Sequence, residues 1–128
     1  MNALVRTRDG SWLVDLETED VLPTDVELDP EEPIALTLPL VVAAARSGPT
    51  MVAVVARRPP LAVSYDAGST WREAGGGLPK GTAVAIDAEN PDRMLYAARN
   101  RLFLSEDGGR FWRALAPELP VIEAIAFA

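Results

Sequence analysis

Ser64-Tyr65-Asp66-Ala67-Gly68-Ser69-Thr70-Trp71 (SYDAGSTW) has a near copy 41 positions later, Ser105-Glu106-Asp107-Gly108-Gly109-Arg110-Phe111-Trp112 (SEDGGRFW). The match runs on at the same offset. Leu78-Pro79 corresponds to Leu119-Pro120, and Ala83-Val84-Ala85-Ile86 to Ala124-Ile125-Ala126-Phe127. Upstream, Leu38-Pro39 precedes a third apolar run, Val41 to Ala45. A period near 41 residues is the length of a propeller blade or of a helical repeat.

Residue types decide between these two. In the last complete unit, Thr82–Ile86 and Arg93–Ala98 are β-branched, apolar or aromatic, as are Arg101–Ser105 and Arg110–Leu115. Asp87–Asp92, Arg99-Asn100 and Glu106–Gly109 punctuate them with turn residues. Four short strands at 8–12-residue spacing predict an antiparallel sheet. The preceding unit parses the same way, with strands Leu40–Ala45, Met51–Ala56, Leu61–Ser64 and Ser69–Ala74. At the N-terminus, Ala3–Thr7 and Ser11–Asp15 flank the hairpin signal Asp9-Gly10, and Val21–Leu28 supplies a last strand. That unit lacks a first strand, and Val121–Ala128 is a first strand with nothing after it.

The two octapeptides resemble the Asp-box, the bacterial neuraminidase repeat S-x-D-x-G-x-T-W of sialidase-like and sortilin-like β-propellers. SYDAGSTW fits every fixed position, and SEDGGRFW departs only at Phe111. The resemblance covers residues 38–128, while Glu17-Thr18-Glu19-Asp20 stands where an N-terminal box would fall. It implies that Ser64, Asp66, Gly68, Thr70 and Trp71, with Ser105, Asp107, Gly109 and Trp112, are structural and sit away from the ligand face. The side chains agree: Asp accepts turn N–H bonds, Gly takes positive φ, and Trp packs between sheets.

The expectation is therefore an all-β chain of three propeller blades of four antiparallel strands. Blade one spans residues 1–33 and is completed by 121–128; blade two spans 38–79 and blade three 80–118. Propellers have 4–8 blades, so three leave exposed faces and edges. Two chains give six, with Val121–Ala128 of each completing blade one of the other in a homodimer. The open alternative is a piece of a longer propeller.

Composition narrows the chemistry. Net charge is −7 and the pI about 4.5, against nonspecific nucleic-acid binding. There is no His and no Cys, which removes thiolate chemistry and the commonest zinc ligands. No cofactor and no metal are expected. The N-terminus lacks a signal-peptide apolar core and the longest apolar run, Leu40–Ala45, is far short of a membrane span, so a cytoplasmic protein is expected.

The loops joining the second and third strands of each blade carry Arg8, then Arg57 and Arg58, then Arg99 and Arg101. Planar guanidinium groups at one mouth suit a small anionic ligand, or serve as solvated loop tips. The resemblance also implies a sialidase-type alternative, with an arginine triad, a Glu-assisted tyrosine and an aspartate acid/base. Only Tyr65 and Tyr96 are present, one inside a box and one in mid-strand. A glycan-binding module would need exposed aromatics at the mouth, and Trp12 lies in a strand. Gly75-Gly76-Gly77 lacks the lysine and the strand-to-helix setting of a phosphate loop and reads as an inter-blade connection. The leading expectation is a non-enzymatic scaffold or ligand-binding module.

Overall fold

The computed structural model describes residues 1–29, 34 and 36–128. Every regular element is a strand: β1 (Asn2–Thr7), β2 (Gly10–Asp15), β3 (Val21–Thr24), β4 (Val41–Ser47), β5 (Thr50–Val55), β6 (Leu61–Ser64), β7 (Arg72–Ala74), β8 (Ala83–Ile86), β9 (Met94–Ala98), β10 (Arg101–Ser105), β11 (Arg113–Ala114) and β12 (Ile122–Phe127). They form three four-stranded antiparallel sheets, ordered β12-β1-β2-β3, β4-β5-β6-β7 and β8-β9-β10-β11. No helix among the described residues is long and apolar enough to cross a membrane.

Strands β5, β6, β8, β9 and β10 are buried on both faces, and successive residues put different side chains on the two sides of each blade. Two cores result. Val52, Val54, Leu61 and Val63 of blade two meet Val84, Met94, Tyr96 and Phe103 of blade three. On the other side of blade three, Ala85, Leu95, Leu102 and Leu104 meet Ala3, Val5, Val14 and Ile125 of blade one. Blade three is thus the middle of an arc. Its inner strand β8 packs against both β4 and β12.

The C-terminal strand does complete blade one, but within the same chain. Ala3 pairs with Phe127, Val5 with Ile125 and Thr7 with Ile122. Arg8 N–H donates to Val121 O at 3.1 Å, and Ala128 N–H to Asn2 O at 2.9 Å. This corrects the expectation that β12 crosses to a second chain. Blade one already lies beside β8, so β12 finds β1 where its own chain emerges from blade three. A tethered partner has an effective concentration that a separate chain does not reach at ordinary dilution.

The last strand of each blade is shorter than the sequence pattern suggests. Residues 69–71 and 110–112 belong to the box turns, leaving Arg72–Ala74 and Arg113–Ala114 as strand. In blade one, β3 stops at Thr24, and the end of the segment assigned to that strand runs on without pairing. Part of the acidic Glu17–Glu32 segment, with Pro30, Glu31 and Glu32, lies outside the described residues, as do Pro33 and Ala35. Short edge strands, one of them carrying Pro23, offer little to a pairing strand from elsewhere.

Candidate functional site

The strands place the chemistry at their two opposite ends. Turns between the second and third strands of each blade lie at one end, beside the starts of the inner strands. The box turns lie at the other.

At the first end stand the five arginines. Arg8 N–H bonds Val121 O, and Ile122 N–H bonds Arg99 O at 2.7 Å, so Arg8 and Arg99 flank the start of β12. Arg57 and Arg58 follow Ala56, whose N–H donates to Leu40 O at 2.9 Å at the start of β4. These four side chains are exposed. Arg101 behaves differently. Its Nη2 donates to Ala116 O at 3.3 Å, and its Nε is buried without a hydrogen-bond partner. It braces the segment after β11.

At the second end the two boxes are built alike. Asp66 Oδ1 accepts from Ser64 Oγ (2.8 Å) and Thr70 N–H (2.9 Å), and its Oδ2 accepts from Thr70 Oγ1 (2.6 Å). Gly68 N–H donates to Ser64 Oγ at 2.8 Å. Asp107 Oδ1 accepts from Ser105 Oγ, Arg110 N–H and Phe111 N–H. The key N–H lies four residues on rather than the two expected for a simple Asx turn. Gly68 and Gly109 hold φ +91° and +92°, a region that costs glycine nothing. The Thr70 hydroxyl and N–H and the Ser64 hydroxyl stabilise the Asp66 anion and hold its pKa down to about 2. Asp107 is also lowered, chiefly by Phe111 N–H. Phe111 offers no hydroxyl, and its ring is 80% exposed. The indole N–H of Trp112 donates to Gly109 O at 2.9 Å, whereas Trp71 Nε1 is buried with no partner.

Tyr65 has a role that the sequence did not reveal. Its hydroxyl donates to Gly108 O of the next box at 2.7 Å and ties the two turns together. A cleft of about 480 Å³ beside it is lined by Tyr65, Asp92, Glu106, Asp107, Gly108 and Arg110.

Between these ends, the inner strands enclose a larger cleft of about 1160 Å³. Its lining is mixed: Ala44, Ala45, Val84, Ala85, Ala126 and Phe127 are the main apolar side chains. Its rim, at the box end, carries Glu17, Arg46, Asp87, Glu89 and Arg93. Arg93 lies 3.8 Å from Asp87 and Arg46 Nε donates to Gly48 O, so among the described residues the carboxylates of Glu17 and Glu89 are the rim acids left uncommitted. None of the five sequence-selected arginines lines either cleft. Nor does Tyr96, which is fully buried and donates its hydroxyl to Pro79 O at 2.6 Å. Desolvation pushes its pKa up to about 12. Among the described residues no cluster of His, Cys, Asp or Glu is suited to a metal ion.

No family model matches the chain, and no curated protein matches it. Solved structures do. One is the Niastella koreensis GH74 enzyme, at 20% identity and TM-score 0.50, covering 88% of this chain and 17% of that one. Another is YCF48 bound to D1 peptide, at 17% identity and TM-score 0.51, covering 94% of this chain and 43% of that one. Both are β-propeller proteins, and they support the same fold here. The chain spans about a sixth and under a half of their respective lengths. One is an enzyme and the other is seen with a bound peptide, so the likeness fixes the fold and leaves activity open.

Proposed function

We propose that this chain is a non-enzymatic β-propeller module that works as a pair of chains. Its ligand, a protein or peptide segment, lies in the cleft bounded by β4, β8 and β12. The observation that carries this reading is the open cleft, whose lining sets small apolar side chains beside charged groups. Ligand sites commonly combine an apolar lining with a few polar groups that fix orientation. The uncommitted Glu17 and Glu89 and the net charge of −7 favour a segment bearing a basic residue. The peptide seen on YCF48 shows that a propeller can serve this purpose.

A sialidase-like reaction has less support. It needs a tyrosine facing the ligand, and Tyr65 and Tyr96 are both hydrogen-bonded elsewhere. The arginine end, as a site for an anion, also has less support, since Arg101 is turned onto Ala116.

Peptides selected from a displayed library against the immobilised chain, with affinities then measured by fluorescence anisotropy, test the reading. Ala44→Trp fills the trough and is expected to weaken binding at least about tenfold, or roughly 1.4 kcal/mol. Binding that survives Ala44→Trp but is lost in Arg57→Ala or Arg99→Ala would move the ligand to the arginine end and sink the cleft reading.

A further inference from the structure

The cleft between the inner strands touches residues 44–46 of β4, 84–86 of β8 and 125–127 of β12. Successive side chains of a strand point to opposite faces of its sheet, so a space that meets three residues in a row looks onto the strand's edge. Each of these strands is the last of its sheet, and among the described residues none has a ladder partner on its free edge. The cleft therefore meets main-chain N–H and C=O groups. The small side chains of Ala44, Ala45, Ala85 and Ala126 let another backbone come close to them.

The hydrogen bonds of blade one show which main-chain groups these are. Hydrogen-bonded and non-hydrogen-bonded positions alternate along an antiparallel pair. Leu16 N–H donates to Met1 O at 3.0 Å, so the odd-numbered residues of β1 bond to β2. Ala128 N–H donates to Asn2 O at 2.9 Å, so the even-numbered ones bond to β12, with Leu4 opposite Ala126 and Arg6 opposite Ala124. Ile125 and Phe127, opposite Val5 and Ala3, keep their main-chain N–H and C=O on the cleft side. Glu17 marks one end of this edge. It follows Leu16, whose bond to Met1 lies next to the bond from Ala128 to Asn2.

We propose that an extended peptide segment joins β12 as a fifth strand of blade one, its main chain bonding to Ile125 and Phe127. A basic residue at the end of the segment nearest Phe127 meets Glu17 and sets the register. The other two edges fit such a ligand less well. Strand β8 has inner strands on both sides, and β4 brings Arg46 to the rim, where it repels a basic residue. This rests on the cleft reading above and adds how the ligand is held. Main-chain bonds supply the affinity, so the site selects extended segments with small side chains more than any one sequence.

Amide hydrogen exchange read by NMR on the intact chain, with the tightest peptide from the displayed library, tests it. On binding, exchange at Ile125 and Phe127 is expected to slow by roughly tenfold, while Ala124 and Ala126, already bonded to β1, change less. In the peptide, replacing single amides by esters is expected to weaken binding by roughly fivefold at every second position, because alternate N–H groups face β12. A peptide that binds and is lost in Ala44→Trp, yet protects neither amide and tolerates every ester, overturns strand addition and leaves the cleft reading standing. Protection that appears along β4 instead overturns the assignment to β12. A library that yields no binder overturns both readings.

Discussion

Asp66 shows how one residue fixes a turn and ties it to pH. Its carboxylate gathers the Ser64 and Thr70 hydroxyls and the Thr70 N–H, and the anion accepts all three more strongly than the neutral acid can. The folded pKa is about 2 and the unfolded one is near 3.8. A depressed folded pKa contributes stability that is fully present above the unfolded value and is lost as pH falls through the folded one. Melting temperature should therefore drop as pH falls from about 4 to 2. In Asp66→Asn the drop should be shallower, because that variant has no proton to bind there. An unchanged acid slope would show that the box contributes nothing through ionisation. The box was the most legible feature of the sequence, since its serine, aspartate, glycine and tryptophan spacing states the turn directly. The bridge from Tyr65 to Gly108 was not legible. It joins residues 43 apart, at a variable position of the motif, and only the packing of adjacent blades brings them together.

Blade-to-blade packing shows most clearly at Tyr96, on β9. Its ring fills the space between blades two and three, with Phe103 and Trp112 at centroid distances of 6.0 and 6.1 Å. Gly81, just before β8, runs against that ring, and a Cβ there would overlap the phenol. Gly81→Ala is expected to destabilise by about 3 kcal/mol, the upper range for overpacking a well-filled core. Gly76→Ala is the control. That position has open space and no positive φ, so the change should be neutral or stabilise by up to about 1 kcal/mol. Urea denaturation of the two variants checks the contrast, and equal effects would show that Tyr96 moves freely. The strands were readable here because short β-branched and apolar runs broken by turn residues mark them without reference to any neighbour. The cleft rim was not. Arg46 is near the end of β4 beside the short Gly48-Pro49 connection, whereas Asp87, Glu89 and Arg93 lie in the longer connection 87–93, and the repeat offset does not align them.

At the scale of the molecule, a single pairing, β1 with β12, joins the first and last segments of the chain. The sequence announced a lone first strand at the C-terminus, but the same pattern serves whether it pairs at home or abroad. What decides is proximity, which no linear pattern records. This pairing also sets how the molecule bears load. Asn2 and Phe127 lie at the same end of two antiparallel strands, with Ala3 opposite Phe127. Their ladder bonds run perpendicular to the strands. Pulling on the two termini therefore strains those bonds one after another, like the teeth of a zip, instead of shearing the whole ladder at once. In single-molecule force spectroscopy, a tether through residues 1 and 128 should open blade one at a lower force than a tether through residues 1 and 121, which loads the same strands lengthwise. Equal forces would mean that resistance arises elsewhere. A chain whose ends meet in this way is mechanically softest where it is topologically closed.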